Sequence, residues 1–164
     1  MLTARPMALE VGFGSPVEHE EPADAHRILI VDDDPETRTL LSRVLAADGH
    51  AVETAPDGRT ALEMVTASPP DLLITDLIMP RLSGWSLFAR VRRLAPTLPI
   101  IVISGSDPGL RHRGQSLPGH VSFLRKPFAL DQLLATVTRL LAGIGSERDT
   151  MPGLDDEESS RGDS

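Results

Sequence analysis

The chain has 164 residues, a net charge of −8 at pH 7 and no cysteine. This length predicts a single domain with short tails, and the lack of cysteine excludes disulfides, thiolate metal sites and cysteine nucleophiles. No apolar run approaches the roughly 20 residues of a transmembrane helix, and the N-terminus lacks the basic segment and apolar core of a secretory signal. We therefore expect a cytoplasmic protein without membrane insertion.

The acidic residues are concentrated at the two ends of the chain. Residues 1–26 carry five acids and one arginine, and residues 145–164 carry seven acids and two arginines. Residues 27–144 are nearly neutral, with 12 acids and 13 bases, and lack the basic patch that direct nucleic-acid binding requires. We predict a flexible leader over 1–26, one domain over 27–144 and a disordered acidic tail over 145–164.

Five short apolar segments predict β-strands. They cover residues 27–31, 50–54, 71–76, 100–103 and 120–124. Consecutive apolar residues without alternation are typical of strands that are buried on both faces, as in a parallel sheet.

Helices are predicted between the strands from capping residues and apolar spacing. Asp34 followed by Pro35 is a preferred helix start, residues 57–58 and Ser83 precede the next two helices, and a final helix covers about 130–141. The residues expected to face the core are Leu40, Leu41, Val44, Leu45, Ala61, Leu62, Val65, Leu87, Phe88, Val91, Leu94, Leu133, Leu134, Val137 and Leu140.

Residues 105–120 should contain another helix, yet they include four glycines and two prolines. Within a helix, glycine costs about 1 kcal/mol and proline about 3 kcal/mol relative to alanine. We therefore expect a short or distorted helix at about 110–117. Even so, the regular alternation of strands and helices predicts an α/β fold with a parallel sheet covered on both faces.

Polar residues stand where four of the predicted strands end. Residues 32–33 are both aspartate and follow the first strand, while Asp76, Ser104 and Lys126 follow the third, fourth and fifth. Ligands bind at this edge of open α/β sheets. Three crowded carboxylates require a compensating cation, and oxygen ligands suit Mg²⁺. With a hydroxyl and the only lysine of the chain, the pattern predicts a site for a phosphoryl group, toward which an aspartate can act as nucleophile.

The chain resembles the receiver domains of two-component response regulators over about residues 26–142. The segments that carry the resemblance are Ile28-Leu29-Ile30-Val31-Asp32-Asp33-Asp34-Pro35, Asp76-Leu77-Ile78-Met79-Pro80 with Gly84, Ser104-Gly105, and Lys126-Pro127-Phe128. The resemblance implies a flavodoxin-like (βα)5 fold, a doubly wound parallel five-stranded sheet in the order 2-1-3-4-5.

The resemblance also implies a phosphoacceptor and a metal site. Asp76 would be the phosphoacceptor and a ligand of Mg²⁺. Asp33 would coordinate Mg²⁺ directly, Asp32 largely through water, and the backbone carbonyl of Ile78 would be the third protein ligand.

Three further residues match family positions that respond to phosphorylation. Ser104 and Lys126 would each contact a phosphoryl oxygen, and Phe123 would be the switch aromatic that turns inward as Ser104 moves. The donor would be a histidine kinase or a phosphotransfer protein. We expect a stand-alone, non-enzymatic receiver that acts by switching its affinity for a protein partner. Ile78, two residues after the phosphoacceptor, is apolar and implies slow hydrolysis of the phosphoryl group.

Two other functions stay open at this point. An aspartate-nucleophile phosphatase of the haloacid dehalogenase type needs a second aspartate two residues after the first, as in Asp32 and Asp34, but then threonine or valine where Glu36 stands. A receiver-like module that binds partners without phosphorylation is the other alternative. Ser104 is also compatible with a turn residue and Phe123 with a core residue. The five histidines show no metal-ligand spacing.

Overall fold

The computed structural model describes residues 25–105 and 120–148, with side chains up to residue 143. The elements in chain order are β1 (Arg27–Val31), α1 (Pro35–Ala47), β2 (Ala51–Ala55), α2 (Gly58–Ala67), β3 (Leu72–Asp76), α3 (Gly84–Leu94), β4 (Ile100–Ser104), β5 (Val121–Arg125) and α4 (Leu130–Arg148). The helix predicted at 110–117, most of the leader and the tail from residue 149 onward lie outside the described residues. Within these ranges, no helix combines the length and the hydropathy needed to cross a membrane.

The five strands form one parallel sheet in the order β2-β1-β3-β4-β5, which confirms the predicted fold class. In the centre of the sheet, Ile28 pairs with Leu72, and Leu73 pairs with Ile100. All five residues of β3 and of β4 are buried. Because both faces of these strands are buried, their residues are consecutively apolar and do not alternate with polar residues.

Alternate residues of the strands face two separate core layers. On β1, Ile28 and Ile30 pack with residues of α1 and α4, whereas Leu29 and Val31 pack with residues of α2 and α3. Each fully buried side chain of this kind contributes about 1.5–3 kcal/mol relative to an exposed one. The period of two along the strands therefore places α1 and α4 on one face of the sheet and α2 and α3 on the other.

The predicted helix starts are those observed. The side chain of Asp34 accepts hydrogen bonds from two peptide N–H groups in the first turn of α1. Asp57 accepts from the N–H of Thr60 at 2.8 Å, and Ser83 caps α3 in the same way through the N–H of Ser86. These short polar side chains satisfy N–H groups that have no partner within the helix.

Two residues predicted to face the core do not, and one helix is longer than predicted. Leu40 and Leu94 are each 52% exposed. In α1 the core contacts are made by Leu41 and its neighbours one turn on, and after α3 the chain turns so that Leu98 is buried in place of Leu94. The last helix continues to Arg148 rather than ending near residue 141, because its glycines weaken a helix without terminating it as proline does.

Candidate functional site

The parallel sheet brings the polar residues at its strand ends to one edge. Carboxylate oxygens of Asp32, Asp33 and Asp76 lie within 4.8 Å of one another. Lys126 follows β5 and reaches the same group of carboxylates. Four side chains that are up to 94 positions apart in the sequence therefore form one cluster.

Asp76 is held in a fixed orientation at the end of β3. Its side chain is largely buried, and the residue is 7% exposed. One carboxylate oxygen, Oδ1, accepts the peptide N–H of Ile78 at 2.9 Å, and the other, Oδ2, accepts from Nζ of Lys126 at 2.7 Å. Because both oxygens have a donor, the carboxylate has little freedom to rotate.

Asp32 is the most buried carboxylate of the site, at 2% exposure. Its Oδ1 accepts the peptide N–H of Asp34 at 2.9 Å, and its Oδ2 lies 3.8 Å from Nζ of Lys126. Burial raises the pKa of Asp32, and these two contacts only partly oppose that effect. The neighbouring Asp33 is exposed, so the cluster has a buried side and a side open to solvent.

Lys126 is the cation of this cluster. Burial by itself lowers the pKa of Lys126, but the hydrogen bond and the charge of Asp76, with the charge of Asp32, raise it above its ordinary value. The lysine therefore stays protonated at neutral pH. One ammonium facing three carboxylates leaves excess negative charge, and the oxygen-only donor set fits a hard divalent cation such as Mg²⁺.

The first residue of α3 packs directly against the backbone of Asp76. A Cβ atom added to Gly84 would lie 2.2 Å from the carbonyl oxygen of Asp76 and 2.7 Å from Cα of Leu77. The N–H of Gly84 also donates to the carbonyl of Leu77 at 3.0 Å. Glycine at position 84 thus permits α3 to start immediately beside the candidate phosphoacceptor.

Ser104 is buried at the end of β4, next to Lys126, whereas Phe123 is partly exposed on β5. Ser104 is fully buried at the end of β4, and its carbonyl accepts the N–H of Lys126 at 2.8 Å. Phe123 is 38% exposed, and its ring centroid lies 6.2 Å from that of Trp85 on α3. The two positions linked by the resemblance therefore lie on neighbouring strands, with the aromatic ring pointing outward.

Two residues that support the site were not identified from the sequence. The hydroxyl of Thr75 donates to the carbonyl of Asp76 at 3.0 Å in the buried core. Nη1 of Arg38 donates to the carbonyl of Asp32 at 2.5 Å. The position of Arg38 early in the helix that follows the aspartates was the available signal, since the first turn of that helix must lie near the end of β1.

Sequence comparisons agree with this geometry. The family model of the response regulator receiver domain matches residues 28–138 of this chain. Response regulators MprA of Mycolicibacterium vanbaalenii and Mycobacterium leprae are 40% and 43% identical over 115 residues, which cover 70% of this chain and 50% of each relative. The chain therefore spans about half the length of these relatives.

Solved structures show the same architecture. The chemotaxis protein CheY4 of Vibrio cholerae superposes with a TM-score of 0.63 and 31% identity, covering 71% of this chain and 98% of that one. The receiver domain of the hybrid histidine kinase CckA superposes with a TM-score of 0.59 and 35% identity, covering 70% and 98%. Together with the carboxylate cluster and its lysine, these matches show that the chain belongs to the family of receiver domains of two-component response regulators.

Proposed function

We propose that Asp76 accepts a phosphoryl group from a phosphohistidine of a histidine kinase or phosphotransfer protein, and that this modification changes the affinity of the chain for a protein partner. The observation that carries the proposal is the 2.7 Å contact between Lys126 and Asp76 within a cluster of three carboxylates. A nucleophile, a cation and a set of metal ligands are then present at one place.

In the proposed transfer, a carboxylate oxygen of Asp76 forms a bond to phosphorus while the bond from phosphorus to the donor's imidazole nitrogen breaks. The electron pair of the broken bond stays on the imidazole. Lys126 then pairs with an oxygen of the transferred group rather than with Asp76 alone, which places positive charge where negative charge develops. The peptide N–H of Ile78 keeps the carboxylate oriented.

Asp32, Asp33 and Asp76, with the backbone carbonyl of Ile78, would hold Mg²⁺. When bound, Mg²⁺ neutralises charge on the phosphoryl oxygens. The binding role of these residues rests on their oxygen-only character and on the excess negative charge of the cluster.

The response to phosphorylation would pass through Ser104. An added phosphoryl group carries negative charge that recruits hydrogen-bond donors, and the Ser104 hydroxyl is the donor that we assign to it. The backbone bond from Lys126 to Ser104 joins β4 to β5 at this point. Movement here would reposition Phe123 and alter the surface of β5 and α4 that meets a partner.

The hydrogen bonds of Asp34 argue against the phosphatase alternative. Such an enzyme would use Asp34 as a proton donor to the leaving group. In the structure Asp34 accepts hydrogen bonds from the N–H groups of Glu36 and Thr37 and from the Thr37 hydroxyl. The side-chain hydrogen bond from Thr37, with the backbone N–H groups, lowers the pKa of Asp34. A helix cap that stays ionised is poorly suited to donate a proton, so we infer a signalling role without catalytic turnover.

The proposal is tested by intact mass spectrometry after incubation with acetyl phosphate and Mg²⁺. We expect one added phosphoryl group on the unaltered chain and none on Asp76→Asn or in the presence of EDTA. Asp71→Asn is the matched control, because Asp71 precedes β3 and therefore lies at the edge of the sheet opposite the carboxylate cluster, and it should be modified like the unaltered chain.

The alternatives predict different results. If neither acetyl phosphate nor a panel of phosphohistidine donors adds a phosphoryl group, the chain is a binding module that works without phosphorylation. Sustained release of phosphate from phosphate esters would instead support the phosphatase. Either result would overturn the proposed role of Asp76.

A further inference from the structure

Two histidines lie side by side at the edge of the sheet opposite the carboxylate cluster. His26 precedes β1 and His50 precedes β2, and these strands are parallel neighbours in which Arg27 pairs with Ala51. The ring centroids are 5.9 Å apart and the ring planes are inclined by 58°. The N–H of Ala51 donates to the carbonyl of His26 at 3.0 Å, so the backbones that carry the two rings are joined.

Both rings have a buried nitrogen without a partner. Nδ1 of His26 and Nδ1 of His50 are inaccessible to solvent and make no hydrogen bond. Buried polar atoms are normally paired, and two neighbouring exceptions require an explanation. A neutral imidazole carries one N–H and one lone pair, so a ring whose Nδ1 is the unprotonated nitrogen directs an unused lone pair into the protein.

Asp48 lies beside the other ring nitrogen of His50. Its Oδ2 lies 3.4 Å from Nε2 of His50, whose side chain is only 11% exposed. With a carboxylate beside Nε2, the nitrogen of His50 that stays without a partner is Nδ1. This is the arrangement by which carboxylates orient histidines that bind metals.

We propose that His26 and His50 bind a divalent transition-metal ion of the Zn²⁺ class through their Nδ1 atoms, with Asp48 as a positioning residue. Imidazole nitrogen suits Zn²⁺, Cu²⁺ and Ni²⁺ rather than Mg²⁺. With metal–nitrogen bonds of about 2.0–2.1 Å, each ring centroid lies roughly 3.2 Å from the ion, so two ligating rings are about 5–6 Å apart. The observed separation falls in this range.

This site is separate from the proposed Mg²⁺ site in both position and chemistry. His26 precedes β1 and Asp32 follows it, and six steps along a strand span about 20 Å. The carboxylate cluster offers only oxygen ligands, whereas the histidine pair offers nitrogen. The two sites therefore select different ions, and the histidine site does not depend on the proposed phosphorylation.

Isothermal titration calorimetry of the full chain with ZnCl₂, in saturating Mg²⁺ so that the carboxylates are occupied, tests the site. We expect one Zn²⁺ per chain with micromolar affinity, and a loss of at least about 10-fold in His26→Ala and in His50→Ala. Asp48→Asn should weaken binding by about 10-fold, the lower end of the usual effect of an orienting carboxylate. His120→Ala, which removes the histidine that precedes β5, is the matched control and should bind normally.

Two results would overturn the proposal: Zn²⁺ binding that survives in the double variant of His26 and His50, or no Zn²⁺ binding by the unaltered chain. If the alanine variants fail to fold, nitrogen-15 spectra of the histidine rings in the unaltered chain decide. Zn²⁺ should shift two Nδ1 signals while Nε2 of His50 stays protonated, and unchanged ring nitrogens would contradict the site. Labelling by acetyl phosphate should persist in every folded variant, which separates this test from that of Asp76.

Discussion

The ammonium of Lys126 is shared between two carboxylates, 2.7 Å from Asp76 and 3.8 Å from Asp32. The other oxygen of Asp76 already accepts the peptide N–H of Ile78, so Asp76 offers the cation one oxygen rather than two. A guanidinium is matched best by two oxygens at once, whereas an ammonium is a compact point charge. This geometry provides a physical reason for the only lysine in a chain whose other basic residues are all arginine.

We expect the side chain of Ile78 to set the lifetime of the proposed aspartyl phosphate. It is apolar and 68% exposed beside Asp76, so it neither binds nor orients a water molecule. We predict that Ile78→Asn shortens the lifetime several-fold, because an amide can hold a water near the phosphorus. The measurement is phosphate release after acetyl phosphate is removed. Ile78→Val, which stays apolar, should leave the lifetime unchanged, and equal lifetimes for all three chains would contradict this role.

At the scale of elements, the junction between β3 and α3 depends on a single glycine. We predict that Gly84→Ala lowers the free energy of unfolding by about 1–3 kcal/mol or more, the usual cost of forcing extra atoms into a packed site. The new Cβ would lie 2.2 Å from the carbonyl oxygen of Asp76. Urea unfolding measures the loss, and labelling by acetyl phosphate should also slow because the backbone of Asp76 must shift.

Gly143→Ala is the matched control for that variant. Gly143 lies within α4, and its added Cβ would meet His120 at an ordinary contact distance of 3.8 Å. Replacing a helical glycine by alanine stabilises by about 0.5–1 kcal/mol. The two alanine substitutions should therefore change the free energy of unfolding in opposite directions. A Gly84→Ala variant that is more stable than the unaltered chain would show that α3 does not pack closely against Asp76.

The stability that Asp57 gives to the start of α2 should depend on pH. The backbone N–H of Thr60 donates to Asp57 and lowers the pKa of that carboxyl below its ordinary value of 3.8. A lowered pKa stabilises the folded state above the unfolded value, and this contribution is lost as pH falls through the folded value. We predict that Asp57→Asn is less stable than the unaltered chain at pH 7 and that the difference shrinks below pH 3.8.

Urea midpoints at neutral and acidic pH measure this effect. Asparagine is itself a good helix cap, so the variant keeps the capping hydrogen bond and removes only the negative charge. Glu63→Gln removes an exposed carboxylate that lies within the same helix and does not cap it. Its urea midpoint should differ little from that of the unaltered chain at either pH. A difference for Asp57→Asn that is independent of pH would mean that the charge of the cap is irrelevant.

At the scale of the whole molecule, the parallel sheet separates two kinds of chemistry. Because all five strands run the same way, every residue that ends a strand lies at one edge and every residue that precedes a strand lies at the other. Oxygen ligands and the lysine occupy the first edge, and the pair formed by His26 and His50 occupies the second. The two proposed ion sites therefore lie at opposite edges of one sheet and offer different ligand atoms.

Much of the fold and of the candidate site was predictable because it depends on local properties. Runs of apolar residues indicated the buried strands, and the capping residues Asp34, Asp57 and Ser83 marked the helix starts. Because Asp76 and Lys126 each follow a predicted parallel strand, the sequence also predicted that they lie at the same edge of the sheet. The assignment of phosphoryl chemistry to them came from the pattern of carboxylates, hydroxyl and lysine and from the resemblance to receiver domains, and it stays a prediction.

Other features could not be predicted, because they depend on contacts between distant segments. Apolar spacing wrongly assigned Leu40 and Leu94 to the core, since spacing identifies an apolar stripe but not which members of it the sheet covers. The close approach of Gly84 to Asp76 requires the actual path of the loop between them.

The sequence by itself determined the order of the elements, the strands that are buried and the polar residues that end them, because hydrophobic periodicity and capping act over a few neighbouring residues. Only the tertiary structure decided that Lys126 touches Asp76 across 50 positions, and that two histidines with no ligand spacing share one corner of the sheet. These contacts arise from the pairing of parallel strands, which brings together residues that no local pattern connects.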